Sequence, residues 1–103
     1  MEAFVKVAKV SDLSPGQMML VQVGDERILL SNLEGQFYAI GEECTHAYGP
    51  LSEGELYRDT VECPFHGSQF NLKSGEVIRG PAEEPLLSYS VRLEGDDILI
   101  GPL

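Results

Sequence analysis

Two cysteines and two histidines, the only ones in the chain, fall into two short and well-separated boxes. The first reads Cys44-Thr45-His46 and the second Cys63-Pro64-Phe65-His66, so each box pairs one thiol with one imidazole. Thiolates favour zinc, copper(I) and iron–sulfur centres, and imidazole suits zinc, copper and iron. Structural zinc sites mostly draw their thiols from one half, as C-x(2–4)-C, and their imidazoles from the other. A box with a single residue between a cysteine and a histidine fits that arrangement poorly, although a zinc-stabilised binding module is one reading of the same four residues. A Cys44–Cys63 disulfide is another, and the histidine beside each thiol argues that both thiols are committed to metal instead. A chain using all four as ligands must fold so that two loops lie side by side.

The rest of the sequence supplies strands to hold such loops. Phe4–Val10 alternates apolar and polar residues with period two, the mark of a half-buried strand. Ser11–Gly16 is a turn cluster in which Asp12 and Ser14 can cap a short helical turn and Pro15-Gly16 bends the chain. Met18–Val23 and Arg27–Ser31 flank Gly24-Asp25 as a hairpin, and a second turn at Asn32–Gly35 leads into Gln36–Ile40. Short strands are expected at Leu56-Tyr57, Thr60–Glu62, Ser68–Leu72 and Glu76–Ile78, then at Leu86–Leu93 and Ile98–Ile100. Strands at this spacing, with turn signals between them and no helical period, indicate an all-β sandwich or barrel. The expected architecture is an antiparallel base formed by residues 1–41 and 83–103. A small metal-binding subdomain at about 42–82 is inserted into it, all within a single domain of 103 residues.

Charge narrows the function classes. Seven basic residues against 17 acidic ones give a net charge of −10, so the basic patch that marks nucleic-acid binding is missing. Such acidity steers encounter with basic partner surfaces and disfavours self-association, which suggests a monomer. No apolar run approaches the roughly 20 residues of a membrane helix, and Met1–Lys6 does not read as a secretory signal. A cytoplasmic protein with reduced thiols is the expectation. No nucleophile–base pair or phosphate loop accompanies the metal ligands, so the chain reads as a carrier and not as an enzyme.

Cys44-Thr45-His46 and Cys63-Pro64-Phe65-His66-Gly67-Ser68 resemble the two ligand boxes of Rieske iron–sulfur proteins. Ser74–Ala82, with Pro81, resembles the proline-containing third loop of that family. The resemblance implies a Rieske-type 2Fe–2S cluster in which one iron takes two cysteines and the other two histidines, here Cys44 and Cys63, then His46 and His66. Gly49, Gly67 and Gly80 can adopt positive φ and so let amides approach the sulfides closely, Pro64 and Pro81 stiffen the loops, and Ser68 keeps the hydroxyl that the family directs at the cluster. Ala47, Tyr48, Pro64, Phe65 and Pro81 would form an apolar rim that meets partners.

Two departures separate this chain from the Rieske proteins of the cytochrome bc and bf complexes. The positions of their extra disulfide carry Gly49 and Phe65, and the position of a hydrogen-bonding tyrosine carries Phe70. These absences make the sequence resemble the ferredoxins of oxygenase systems, with a potential in the lower part of the roughly −150 to +300 mV Rieske span. The implied role is one-electron transfer from a flavin-dependent NAD(P)H ferredoxin reductase to a terminal oxygenase, often a ring-hydroxylating one. A Rieske-like small subunit of a larger oxidoreductase, such as nitrite reductase, is the alternative.

Overall fold

Two-residue turns set the register of the first part of the chain. In the computed structural model, which describes residues 3–45 and 49–101, the opening strands are β1 (Val5–Lys9), β2 (Met18–Val23), β3 (Glu26–Leu33) and β4 (Gln36–Gly41). Val23 pairs with Glu26 across Gly24-Asp25, and Leu33 pairs with Gln36 across Glu34-Gly35. Gly24 has φ +61°, and both Glu34 and Gly35 are left-handed, at +56° and +93°. Turns of this hand match the right-handed twist of the strands they join.

β3 runs two residues further than its sequence suggests, because Asn32 and Leu33 still pair with β4, and buried Asn32 is a connector as well as a turn residue. Its Nδ2 donates to the Leu13 carbonyl at 2.8 Å and its Oδ1 accepts from the Gly35 N–H at 2.8 Å. A short-range reading of asparagine favours a turn; here the side chain closes that turn through Gly35 and also staples the Leu13 loop to the hairpin.

The chain then forms β5 (Glu55–Tyr57), β6 (Thr60–Glu62), β7 (Gln69–Asn71) and β8 (Val77–Arg79), and returns through β9 (Ser88–Glu94) and β10 (Asp97–Gly101). The first and last strands make one antiparallel six-stranded sheet in the order β1-β10-β9-β4-β3-β2. The middle four make a second sheet, β5-β6-β7-β8. The all-β sandwich expected from the strand spacing is therefore the fold, with the second sheet inserted between β4 and β9.

β9 begins at Ser88, two residues later than the alternation suggested. Leu86 is pinned beneath the second sheet, where its N–H donates to the Gly75 carbonyl at 2.8 Å, while the Leu87 carbonyl accepts from Gly41. Gly75 is required there. Its φ is +82°, and a side chain would run into the Leu86 carbonyl.

Two cores result. β1 and β2 touch, so the six-stranded sheet curls around Ala8, Leu13, Val21, Ile28, Leu30, Ala39, Ile98 and Ile100. β3 is buried on both faces, and successive side chains on a strand point oppositely. Leu29 therefore leaves that core and joins Ile40, Leu51, Val61, Phe70, Leu72, Ala82 and Leu86 between the sheets. Cys44 and Cys63 belong to this second core. Each fully buried Leu or Ile in it contributes roughly 1.5–3 kcal/mol relative to exposure, so the apolar packing that joins the sheets also fixes the two thiols. Among the described residues, no helix is long and apolar enough to cross a membrane.

Candidate metal centre

Cys44 and the second box sit at the ends of antiparallel hairpins. In the first, the Leu51 N–H donates to the Glu42 carbonyl, Glu43 bridges Pro50, and the Cys44 N–H donates to the Gly49 carbonyl. These three rungs keep one register up to Cys44 and Gly49. In the second, β6 and β7 pair Glu62 with Gln69, and the next rung is the Cys63 N–H donating to the Ser68 carbonyl at 2.8 Å. Residues 64–67 are then the tip. Cys44 and Cys63 thus each occupy the last described rung of their hairpin, and His66 follows Cys63 in the tip of the second. His46, Ala47 and Tyr48 lie outside the described residues, so the ligand and rim roles expected of them rest on sequence.

The hairpins meet through their cysteines. Cys44 and Cys63 are 1% and 2% exposed and form no disulfide. Burial is the main influence lifting the Cys63 thiol above its usual pKa, and the neighbouring Cys44 thiol adds to the rise. The N–H groups of Phe65 and His66 point at the same sulfur and oppose it. Two buried, reduced thiols side by side, with backbone donors converging on one of them, are the environment of a pair of metal-bound thiolates. Among the described residues, no three Cys, His, Asp or Glu side chains converge on a single ion.

Gly49 sits where the hairpins touch. A Cβ added there would lie 2.7 Å from Cys63 Sγ and 3.1 Å from the Phe65 ring. Its absent side chain, and not a turn, is what the site needs at this position. The same contact brings together Gly49 and Phe65, the two positions that carry the extra disulfide in the cytochrome branch. Gly67 does take a left-handed φ, +77°, but its N–H donates to the Cys63 carbonyl at 3.2 Å and closes the turn. The amides at the sulfur come from Phe65 and His66 instead, which residue type alone could not signal. Gly80 has no positive φ, so the conformational role expected of it is not needed.

The third loop is tied to both hairpins. The buried Ser68 hydroxyl accepts from the Ala82 N–H at 3.0 Å, and the Thr45 hydroxyl donates to the Glu84 carbonyl at 2.7 Å. With its oxygen engaged by Ala82, Ser68 keeps its hydroxyl hydrogen for another acceptor. Pro64, Phe65, His66 and Pro81 are exposed, Phe65 by 56%, so the rim expected from sequence is apolar where it is described. A groove of about 1000 Å³ between the Pro15-Gly16 turn and Lys73 is lined by none of these residues.

Comparison with known proteins follows the same line. Residues 3–90 match the model of the Rieske [2Fe-2S] domain. The chain is 42% identical over 98 residues to the ferredoxin component of biphenyl 2,3-dioxygenase from Rhodococcus jostii, covering 95% of this chain and 92% of that protein. It is 42% identical over 92 residues to the 3-phenylpropionate/cinnamic acid dioxygenase ferredoxin subunit of Escherichia coli K12, covering 88% and 86%. Among solved structures, the ferredoxin of carbazole 1,9a-dioxygenase from Nocardioides aromaticivorans superposes with a TM-score of 0.93 at 28% identity, covering 98% of this chain and 99% of that one. A chain in a complex of reduced oxygenase and oxidised ferredoxin of carbazole 1,9a-dioxygenase superposes with a TM-score of 0.91 at 34% identity, covering 99% and 95%.

Proposed function

This chain belongs to the Rieske [2Fe-2S] domain family, and from that premise we propose that it is a ferredoxin of an oxygenase system, an electron carrier and not itself a catalyst. Bound between the hairpins, a Rieske-type 2Fe–2S cluster supplies reversible one-electron chemistry. Cys44 and Cys63 would hold it as thiolates, and His46 and His66 would supply its imidazole ligands. The observation that carries this reading is the meeting of two buried, reduced thiols at hairpin tips whose next residues, Pro64 to His66, are exposed. The Phe65 and His66 amides stabilise negative charge on the Cys63 sulfur, and the Ser68 hydroxyl has a hydrogen left to donate toward the same region.

Residues of about 42–82 form the metal-binding unit, carried on a base of residues 1–41 and 83–103. The exposed tip around Phe65 and Pro81 is the docking face, with Ala47 and Tyr48 completing the rim. A terminal oxygenase takes the electron there, its approach steered by the acidity of the chain. The donor is a flavin-dependent NAD(P)H ferredoxin reductase, and the compartment is the cytoplasm, which keeps the free thiols reduced.

The reading is tested by coupled reduction of cytochrome c. Purified chain is added to NADH and the ferredoxin reductase of a biphenyl dioxygenase system. Cytochrome c reduction that rises in proportion to the added chain, and is lost with Cys63→Ser, supports the carrier role. A rate no higher than that of the reductase alone across several such reductases would contradict it.

A further inference from the structure

Glu42 is a fully buried carboxylate two residues before the first box. All of its hydrogen-bonding groups are engaged. Its N–H donates to the Arg27 carbonyl at 3.1 Å, and its own carbonyl accepts from the Leu51 N–H at 2.9 Å. Its Oε1 accepts from the Ser52 N–H at 2.9 Å, and its Oε2 accepts from the Ser52 hydroxyl at 2.6 Å. One residue therefore joins the end of β4, the start of β3 and the short 3-10 turn Leu51–Glu53 that follows the loop.

This junction lies at the root of the hairpin whose last rung is Cys44–Gly49. The loop's entry strand is Glu42 itself, and its exit strand leads straight into Leu51 and Ser52. Burying a carboxylate is costly unless its oxygens are hydrogen-bonded. Burial without a salt bridge to Glu42 among the described residues puts that burden on Ser52. An apolar residue would fill the volume but could not hold both the backbone and the hydroxyl of Ser52.

We propose that Glu42 and Ser52 are a positioning pair that clamps the base of the first ligand loop and so holds the Cys44 sulfur against Cys63. This inference rests on the assignment of Cys44 and Cys63 as cluster ligands. The clamp acts through the loop and touches no metal. Partners that orient metal ligands typically change affinity by about 10- to 100-fold when removed, and loosening the loop should show first as easier loss of iron.

The test uses the iron-loaded protein as wild type, Glu42→Gln, Glu42→Ala and Ser52→Ala. The readouts are the rate of iron transfer to a strong iron chelator at 25 °C and the linewidths of the reduced EPR spectrum. Asn32→Ala, which removes a buried polar staple in the six-stranded sheet, serves as the control for general destabilisation. Glu42→Ala and Ser52→Ala should release iron at least about tenfold faster and broaden the spectrum. Glu42→Gln keeps an acceptor for the Ser52 N–H and a partner for its hydroxyl, so it should stay close to the wild type. Asn32→Ala should lower Tm without changing either readout. Wild-type release rates and linewidths in both Glu42→Ala and Ser52→Ala would overturn the clamp even if Tm falls. Where Glu42→Ala fails to fold, Ser52→Ala alone decides. Failure of the ligand assignment shows differently, as a wild-type protein that itself binds no iron pair.

Discussion

Gly49→Ala tests how tightly the two hairpins are packed. The added methyl would stand 2.7 Å from Cys63 Sγ and 3.1 and 3.2 Å from two carbons of the Phe65 ring. Comfortable non-bonded separation is about 3.5–4.0 Å, so the hairpins must part by roughly 0.8 Å or more at the sulfur. Phe65 is half exposed and can swing away; Cys63 is buried and cannot. Overpacking of this kind costs about 1–3 kcal/mol, or roughly 4–20 °C in Tm for a domain of this size. Gly95→Ala is the matched control, because Gly95 has φ +60° and nothing near its absent Cβ, which confines its cost to backbone strain. Iron and sulfide content, reduced EPR spectra and thermal melts of both variants decide the matter. Gly49→Ala should lose cluster occupancy as well as stability, and Gly95→Ala should lose only stability. A Gly49→Ala protein with full iron content, an unchanged spectrum and an unchanged Tm would refute the argument that the cysteines are held by hairpin contact.

Three further outcomes follow from the same structure. Ser68→Ala leaves the Ala82 N–H without its partner, which costs about 1–3 kcal/mol, and removes the hydroxyl hydrogen that the proposed function directs toward the cluster. Tm and the reduction potential should both fall in melts and voltammetry, and an unmoved potential would confine the hydroxyl to holding Ala82. Burial lifts the Glu42 carboxyl above its ordinary range, against the opposing Ser52 bonds and the charge of Arg27. Its stabilising contribution is therefore fully present below the unfolded pKa of about 4.3 and is lost as pH rises through the folded value. Denaturation of wild type and Glu42→Gln should show the variant gaining relative stability from pH 4 to 8, and the reverse trend would mean that Glu42 is held ionised. With a net charge of −10, electron transfer to a basic partner should slow as salt rises from 0.02 to about 0.5 M; stopped-flow rates indifferent to salt would remove charge from the docking step.

Much of this was legible in the sequence because the signals were local. Gly24-Asp25 and Glu34-Gly35 are turns that their residues dictate, and Phe4–Val10 alternates as a half-buried strand must, whereas β3 between the turns is an apolar run buried on both faces. The cysteine and histidine boxes stood out because four such residues share a regular pairing. Non-local chemistry was hidden. Asn32 read as a turn residue, and its Oδ1 does accept from Gly35 three positions on, but nothing nearby in the chain reveals that its Nδ2 will reach Leu13. Gly49 read as a flexible residue, whereas its role is set by a sulfur 14 positions away. Glu42 gave no signal, because an acidic residue in an acidic chain reads as surface until its burial beneath Ser52 is seen.

The central claim is tested most directly by the EPR spectrum of the dithionite-reduced protein, with iron and acid-labile sulfide assayed on the same sample. Mixed thiolate and imidazole ligation predicts a rhombic signal with an average g near 1.9, two irons and two sulfides per chain, as expected of a Rieske cluster. An EPR-silent sample holding a single zinc would contradict it, and the electron-carrier role would fall with it.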